Sequence, residues 1–376
     1  MDTQLHELLI QLVRLGIGAT AEAAMPAEGT DWPRLKALAD KQGLGAVVLD
    51  GLEVVRRNDE AGGRELPDRA LLAQWIGDVM KGESQYGLQR EMARKVARLF
   101  HKNGIRTYVL KGTVVSECYP RPEHRVSVDV DCYLKAETDR PDAWEAGNEL
   151  IRQKGVAVNK DFYKNSSFWV GGVMFENHQY FTPFRGNKRL TALETTLQTM
   201  MSDDRGEDVM EGTWLYRPPV MATALFLIEH AYSHFLHEGL TWRHVLDWIM
   251  FSRKHQAAID WQALDAMIDE FGFRRFYDSY QRLGQYLTGE LSAEHLEESD
   301  GLMLQDVWAD LDLHESVRGL QGKLALVGNT WRARWKYRHF TDISMLHALW
   351  IQVKGFLFDK NPKLGRDDHK LRELNE

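Results

Sequence analysis

The chain has 376 residues, long enough for two or three packed units. Hydrophobic residues make up 44% and charged residues 27%, an ordinary globular balance. A formal net charge of -8 argues against a protein built around non-specific nucleic-acid binding, although one local basic face remains compatible with it.

Residues 3–16 repeat Leu5, Leu8, Leu9, Leu12 and Leu15 at helical spacing. No basic segment precedes these leucines, and Asp2, His6 and Glu7 interrupt the apolar run, so an amphipathic helix is expected here and not a signal peptide. A loop rich in Ala, Gly and Pro follows. Asp31-Trp32-Pro33 opens a second helix, with Asp31 near the N-cap and Pro33 in the first turn. Residues 69–102 form a long helix with Gly82 and Gly87 as weak points, ended by Asn103-Gly104.

The period then changes. Ile105–Leu110 is short and β-rich, with Lys111-Gly112 directly after it. A brief helix over 113–118 leads into the loop Tyr119-Pro-Arg-Pro-Glu123, and Val126–Leu134 alternates as a strand. Residues 141–153 suggest a helix. Two more strands are expected at 156–163 and 167–182, joined near Asn165-Ser166 or Gly171-Gly172. From Leu190 onward the pattern is helical, with helices expected at 220–237, 241–255, 260–270, 272–287 and 302–312 and one or two after 330. No uninterrupted apolar run reaches the roughly 18 residues of a membrane span. Cys118 and Cys132 are too few for a disulfide framework or a four-cysteine zinc site. Together these features predict a soluble, cytoplasmic chain without a membrane partner.

The chemistry concentrates on the strand Val126-Ser-Val-Asp-Val-Asp-Cys-Tyr-Leu134. Side chains alternate faces, so Val126, Val128, Val130, Cys132 and Leu134 are expected in the core. Ser127, Asp129, Asp131 and Tyr133 share the other face. Asp129 and Asp131 then lie roughly 6–7 Å apart at Cα. Carboxylates held this close repel unless a cation sits between them, and hard oxygen ligands suit Mg²⁺ (or Mn²⁺). Glu176 shares one face of the later strand with Met174, His178 and Tyr180. If that strand neighbours the first, Glu176 supplies a third carboxylate, and such a set can hold two metals for in-line phosphoryl transfer. Gly112 lets backbone approach a phosphate, the helix after it offers free N–H groups, and Lys111 and Arg125 add cationic contacts.

The run YVLKGTVVSECYPRPEHRVSVDVDCYL, with its Lys-Gly turn, Tyr-Pro-x-Pro loop and an Arg shortly before Asp-x-Asp, resembles the polymerase-β-type nucleotidyltransferase superfamily. Within it the likeness is to an uncharacterised nucleotidyltransferase family. Residues 105–182 carry the motifs, and the helical half is similar in outline. The resemblance implies an α+β fold: a small mixed-sheet nucleotidyltransferase core at 105–188, an N-terminal helical region at 1–104 packing on it, and a C-terminal helical domain at 189–376. It implies that Asp129 and Asp131 bind metal, that Glu176 is the third carboxylate, and that Gly112 and Thr113 contact phosphate. Thr113 departs from the usual Gly-Ser or Gly-Gly turn.

The expected activity is Mg-dependent transfer of a nucleoside monophosphate from a nucleoside triphosphate. The acceptor is left open between a small molecule, a protein side chain and an RNA end. The alternative is a non-catalytic nucleotide-binding regulatory module. His178 is a further candidate for the substrate, against a plain hydrogen-bonded histidine. His230, His234 and His237 share a helical face but lack the H-e-x-x-h order of a zinc protease. They are expected to pack against Arg243, His244 and Asp247 on the next helix, or to line the cleft. Trp331–Arg338 alternates cations with aromatics, a pattern that favours a helix surface with snorkelling side chains over a phosphate or RNA contact. Met345–Phe358 is apolar enough to dock on the core or on a partner chain.

Overall fold

The leucine stripe of the N-terminal helix all goes inside: Leu5, Leu8, Leu9, Leu12 and Leu15 are buried. The computed structural model describes residues 3–20, 26, 28–58, 66–137, 142–184, 187–237, 239–309, 334–341, 344–347 and 350. Helices α1 (Thr3–Gly16), α2 (Trp32–Lys41) and α3 (Gly45–Arg57) come first, and α4 (Arg69–His101) follows. Asp31 caps α2 by accepting from the Arg34 N–H at 3.1 Å, and Asp68 caps α4 by accepting from Leu71 at 2.8 Å. Helices α1 and α3 meet backbone to backbone. A Cβ on Gly51 would lie 1.9 Å from the Leu12 carbonyl oxygen, and one on Gly16 would lie 2.1 Å from that of Val47.

The next part of the chain builds the sheet. Strand β1 (Ile105–Val109) leads through the short helix α5 (Thr113–Ser116) and a 3-10 turn at Pro122–His124 to β2 (Asp129–Ala136). Helix α6 (Ala143–Gln153) precedes β3 (Val158–Phe162), β4 (Asn165–Val170) and β5 (Val173–His178). Helix α7 (Lys188–Asp203) and the two-residue strand β6 (Leu215–Tyr216) follow. The six-stranded sheet has the order β3-β4-β5-β2-β1-β6. It is mixed: β2 pairs antiparallel with β1 and parallel with β5. This is an α+β fold.

Two expectations about the strands need correction. Residues 167–182 are not one strand, because Gly171 and Gly172 take φ of +55° and +81° and reverse the chain between β4 and β5. The strand around the paired aspartates begins at Asp129 and not at Val126. Its pairing with β5 starts at Asp129, so residues 126–128 have no partner strand, and Val126 and Val128 are exposed at 44% and 71% instead of lying in the core.

Each face of the sheet has its own cover. Val130 and Leu134 of β2, Phe168 of β4 and Phe175 of β5 form one apolar cluster with Met92, Val96 and Phe100 of α4 and Ile151 of α6. The other face turns to the later helices: α8 (Val220–His237), α9 (Trp242–Lys254), α10 (Trp261–Glu270), α11 (Arg274–Thr288), α12 (Ala293–Ala309) and α13 (Arg334–Phe340). Helix α12 starts nine residues before the expected 302 and bends at Asp300. Leu9, Val48, Tyr108, Phe181, Phe226 and Trp248 belong to a single cluster, so the N-terminal helices and the C-terminal helices share one core beneath that second face. Among the described residues, no helix is long and apolar enough to cross a membrane.

Trp331–Arg338 falls partly outside the described residues. Within the described part, Lys336 is 4% exposed, donates to the Phe235 carbonyl at 2.9 Å and pairs with Asp306 at 2.6 Å, which makes it a buried anchor. Of Met345–Phe358, only 345–347 and 350 are described.

Candidate active site

Strand β2 brings Asp129 and Asp131 to the sheet face that looks toward the helical half, and the parallel register with β5 places Glu176 directly opposite Asp131. His178 follows two residues later on the same face, opposite Tyr133. Asp131 is 1% exposed. Its Oδ1 accepts from His178 Nε2 at 3.1 Å, and Lys111 Nζ lies 3.2 Å from its Oδ2. Glu176 Oε2 accepts from Asn165 Nδ2 at 2.9 Å and lies 3.6 Å from the same His178 nitrogen. Asn165 carries no sequence signal for this role; its position on β4 opposite His178 sets it.

These groups hold one another in opposite charge states. Burial raises the Asp131 pKa, but the Lys111 charge and the His178 hydrogen bond outweigh it and hold the carboxyl below its ordinary range. Glu176 is held down chiefly by its hydrogen bond with His178. Burial works against the charged form of His178, but Asp131 and Glu176 outweigh it and raise its pKa. The same balance raises Lys111, whose charge is favoured by Asp131, Asp129 and Glu176. Asp129 is the exception: burial first, and the neighbouring Asp131 second, push its pKa up to about 6.

The residues fit a divalent cation. Asp131 Oδ2 is buried and has no hydrogen-bond partner, despite the nearby lysine charge. Oxygen atoms or ring nitrogens of Asp131, Glu176 and His178 come within 4.8 Å of one another. Asp129 is not in that tight set. It contributes a desolvated carboxylate whose ionisation a cation would favour. His178, with Nε2 donating to Asp131 at 3.1 Å and Nδ1 facing the Tyr180 carbonyl at 3.3 Å, suits the role of a counter-charge better than that of a ligand.

The turn before α5 lies against the start of β2. Gly112 has φ +64°, and a Cβ there would stand 3.3 Å from Ser127 Oγ. Ser127 in turn donates to the Asp129 carbonyl at 3.0 Å. Thr113 is buried as the first residue of α5. The helix has only four residues, shorter than the expected 113–118, so its dipole is slight and the turn's backbone N–H groups are its main asset.

Arg125 is placed differently from Lys111. Its Nε and Nη2 donate to Asp247 Oδ1 and Oδ2 at 2.7 and 2.8 Å, and Tyr119 donates to the same carboxylate at 2.7 Å. Only Nη1 of its buried guanidinium has no hydrogen-bond partner. The helical histidines also sort themselves. His230 and His234 of α8 gather with His244 of α9. His237 is exposed, one turn further on, with Nδ1 against the Ser233 carbonyl at 2.8 Å.

A mixed sheet that carries a Lys-Gly turn ahead of an Asp-x-Asp strand, with a third carboxylate in register beside it, is the arrangement expected of a nucleotidyltransferase. A family model described as "Uncharacterised nucleotidyltransferase" matches residues 28–289, and the chain belongs to that family. No curated protein and no solved structure matches it.

Proposed function

We propose that the chain transfers a nucleoside monophosphate from a nucleoside triphosphate to an acceptor, with release of pyrophosphate. Residues 105–188 are the transfer core in this reading, with helical parts at 1–104 and 189–376 around it. The observation that carries it is the register of β2 with β5, which sets Glu176 opposite Asp131 while Lys111 Nζ stands 3.2 Å from the same carboxylate.

Asp129, Asp131 and Glu176 would hold Mg²⁺ (or Mn²⁺). When bound, such an ion neutralises charge on the phosphates and on the attacking oxygen. Lys111, the Gly112 turn and Thr113 would hold the triphosphate, with Nη1 of Arg125 as a further donor. Glu176, whose carboxylate form the His178 contact favours, either completes the metal site or accepts the proton of an acceptor hydroxyl. His178 holds Glu176 and Asp131 in position through one ring nitrogen.

The test is thermal stabilisation by nucleoside triphosphates with and without Mg²⁺, followed by release of labelled pyrophosphate with candidate acceptors. Stabilisation only with Mg²⁺, lost in Asp129→Ala and in Asp131→Ala, is the expected result. Unchanged Mg²⁺-nucleotide binding in both variants overturns the reading. Binding without pyrophosphate release for any acceptor class favours a regulatory nucleotide-binding module.

A further inference from the structure

Three imidazoles gather between α8 and α9 without an assigned task. Helix α8 presents Phe226, His230 and His234 at successive four-residue steps along one face. His234 stacks on His244 of α9 at 4.7 Å between centroids, His230 lies 4.4 Å from His234, and His230 lies 5.9 Å from His244. Phe226 connects this group to the carboxylates, because its ring is 5.9 Å from His230 and 6.2 Å from His178. Burial, together with the charge of Lys111 and its neighbours, holds the pKa values of His230 and His244 well below the ordinary histidine value.

The nitrogen atoms of the three rings are close enough together for a metal ion. The cap of α9 argues against one. His244 Nδ1 accepts the Thr241 backbone N–H at 3.2 Å, completing a capping box. A neutral imidazole that accepts at Nδ1 carries its proton on Nε2. Metal-binding histidines have the reverse arrangement: the free nitrogen donates outward while the other ligates. His244 Nε2–H is therefore a donor. It is buried, has no partner, and belongs to a side chain only 7% exposed. Nη1 of Arg125 is a second buried donor without a partner, and the Arg125 charge acts on His244.

We propose that His244, through its unpartnered Nε2–H, and the His230 nitrogen close to it form a phosphoryl-binding subsite that grips an oxyanion through imidazole N–H donors. A neutral donor adds a hydrogen bond to a phosphate without adding charge to a region already under the charges of Arg243, Lys111 and Arg125. The phosphoryl group comes either from the triphosphate tail or from a phosphate on the acceptor. The subsite rests on the nucleotide reading for that occupant.

The probe is inorganic pyrophosphate, titrated without metal into the full chain labelled with ¹⁵N-histidine. His244 should show the Nε2–H tautomer, and its Nε2 and a His230 nitrogen should shift on titration. His244→Glu keeps an acceptor for the Thr241 cap but replaces the donor with an anion. His244→Gln keeps both the cap and an amide donor. Pyrophosphate affinity should fall at least about tenfold in H244E and His230→Ala and stay within a few-fold of wild type in H244Q. A purely capping role predicts equal behaviour of H244E and H244Q. The nitrogen shifts separate contact from long-range charge.

Competition between pyrophosphate and ATP assigns the subsite to the triphosphate tail, and additive binding assigns it to the acceptor's phosphate. An Nδ1–H tautomer overturns the proposal. So does wild-type affinity in both H244E and H230A, or stoichiometric Zn²⁺ binding at His230 and His244 with no response to pyrophosphate. Because the titration contains no metal, its outcome is read separately from the aspartate variants that test Mg²⁺-nucleotide binding.

Discussion

Glu176 stands opposite Asp131 across a parallel strand pair, and both carboxylates approach the same His178 nitrogen, at 3.6 and 3.1 Å. One ring nitrogen thus ties together an acid from each strand. The contact lowers the pKa of Glu176 and favours its carboxylate form, while Lys111 faces the other oxygen of Asp131.

Glu176→Gln tests whether that carboxylate matters. Glutamine keeps an oxygen for Asn165 but loses basicity and most of its pull on a cation. Mg²⁺-nucleotide binding, measured by calorimetry, should stay within about tenfold of wild type, since two aspartates remain. Pyrophosphate release should fall by roughly 10²–10⁴-fold, the usual contribution of a positioned base. Equal rates in variant and wild type would reduce Glu176 to a plain strand residue.

Asp129→Asn should stabilise the metal-free protein at neutral pH. The folded-state pKa of Asp129 is raised from 3.8 to about 6 by burial and by Asp131. A group raised on folding contributes its stability below the unfolded value, near 4, and loses it as pH climbs through about 6. Above that, the ionised carboxylate costs the fold on the order of 1–3 kcal/mol. Asparagine removes the cost, so metal-free D129N should melt several degrees above wild type at pH 7.5, and the gap should close toward pH 4. Mg²⁺ with nucleotide should raise the melting temperature of the wild type alone.

The sequence made this carboxylate site legible for a local reason. Alternation along β2 puts Asp129 and Asp131 on one face whatever the rest of the chain does, and the Lys111-Gly112 turn is adjacent in sequence. The placement of Glu176 beside them needed only one assumption about strand neighbours. What stayed hidden depends on contacts across long stretches of chain. Arg125 finds Asp247 122 residues away, and no local pattern distinguishes a cation bound for a phosphate from one bound for a buried aspartate. The packing of His230 and His234 against His244 is expected from the sequence, but the exclusion of His237, which is exposed one turn further on, depends on where α9 crosses α8 and helical spacing within α8 cannot reveal it. Val126 and Val128 continue the alternation of β2 beyond the point where partner strands exist, so the pattern overstated the strand.

Glycine replacements should separate packing from propensity. Gly51→Ala puts a methyl 1.9 Å from the Leu12 carbonyl oxygen, a backbone atom that cannot rotate aside. Helices α1 and α3 must then move apart, at about 1–3 kcal/mol, which outweighs the roughly 1 kcal/mol that alanine gains in helix propensity. Gly82→Ala, on α4, meets no heavy atom within 4 Å and gains the propensity term alone. Urea unfolding should show the first variant less stable than wild type and the second more stable. Two shifts of the same sign would contradict the close approach of α1 and α3.

The Arg125–Asp247 pair should govern both stability and the seating of β2. Asp247 accepts two hydrogen bonds from Arg125 and one from Tyr119, in a setting where Arg125 is 3% and Asp247 5% exposed. Removing one partner leaves a buried charge without compensation, which typically costs about 3–5 kcal/mol. Asp247→Ala should therefore unfold at markedly lower urea. Replacing both at once, Arg125→Met with Asp247→Leu, removes the desolvation cost along with the attraction and should recover much of that loss. Recovery of stability need not bring back the site. Arg125 lies four residues before Asp129, and its anchorage to α9 holds the unpaired stretch 126–128 in place, with Arg243 on the Val126 carbonyl at 3.2 Å. The double variant should accordingly fold yet bind Mg²⁺-nucleotide more weakly than wild type. A double variant with wild-type nucleotide affinity would show that the approach to β2 is held without the ion pair.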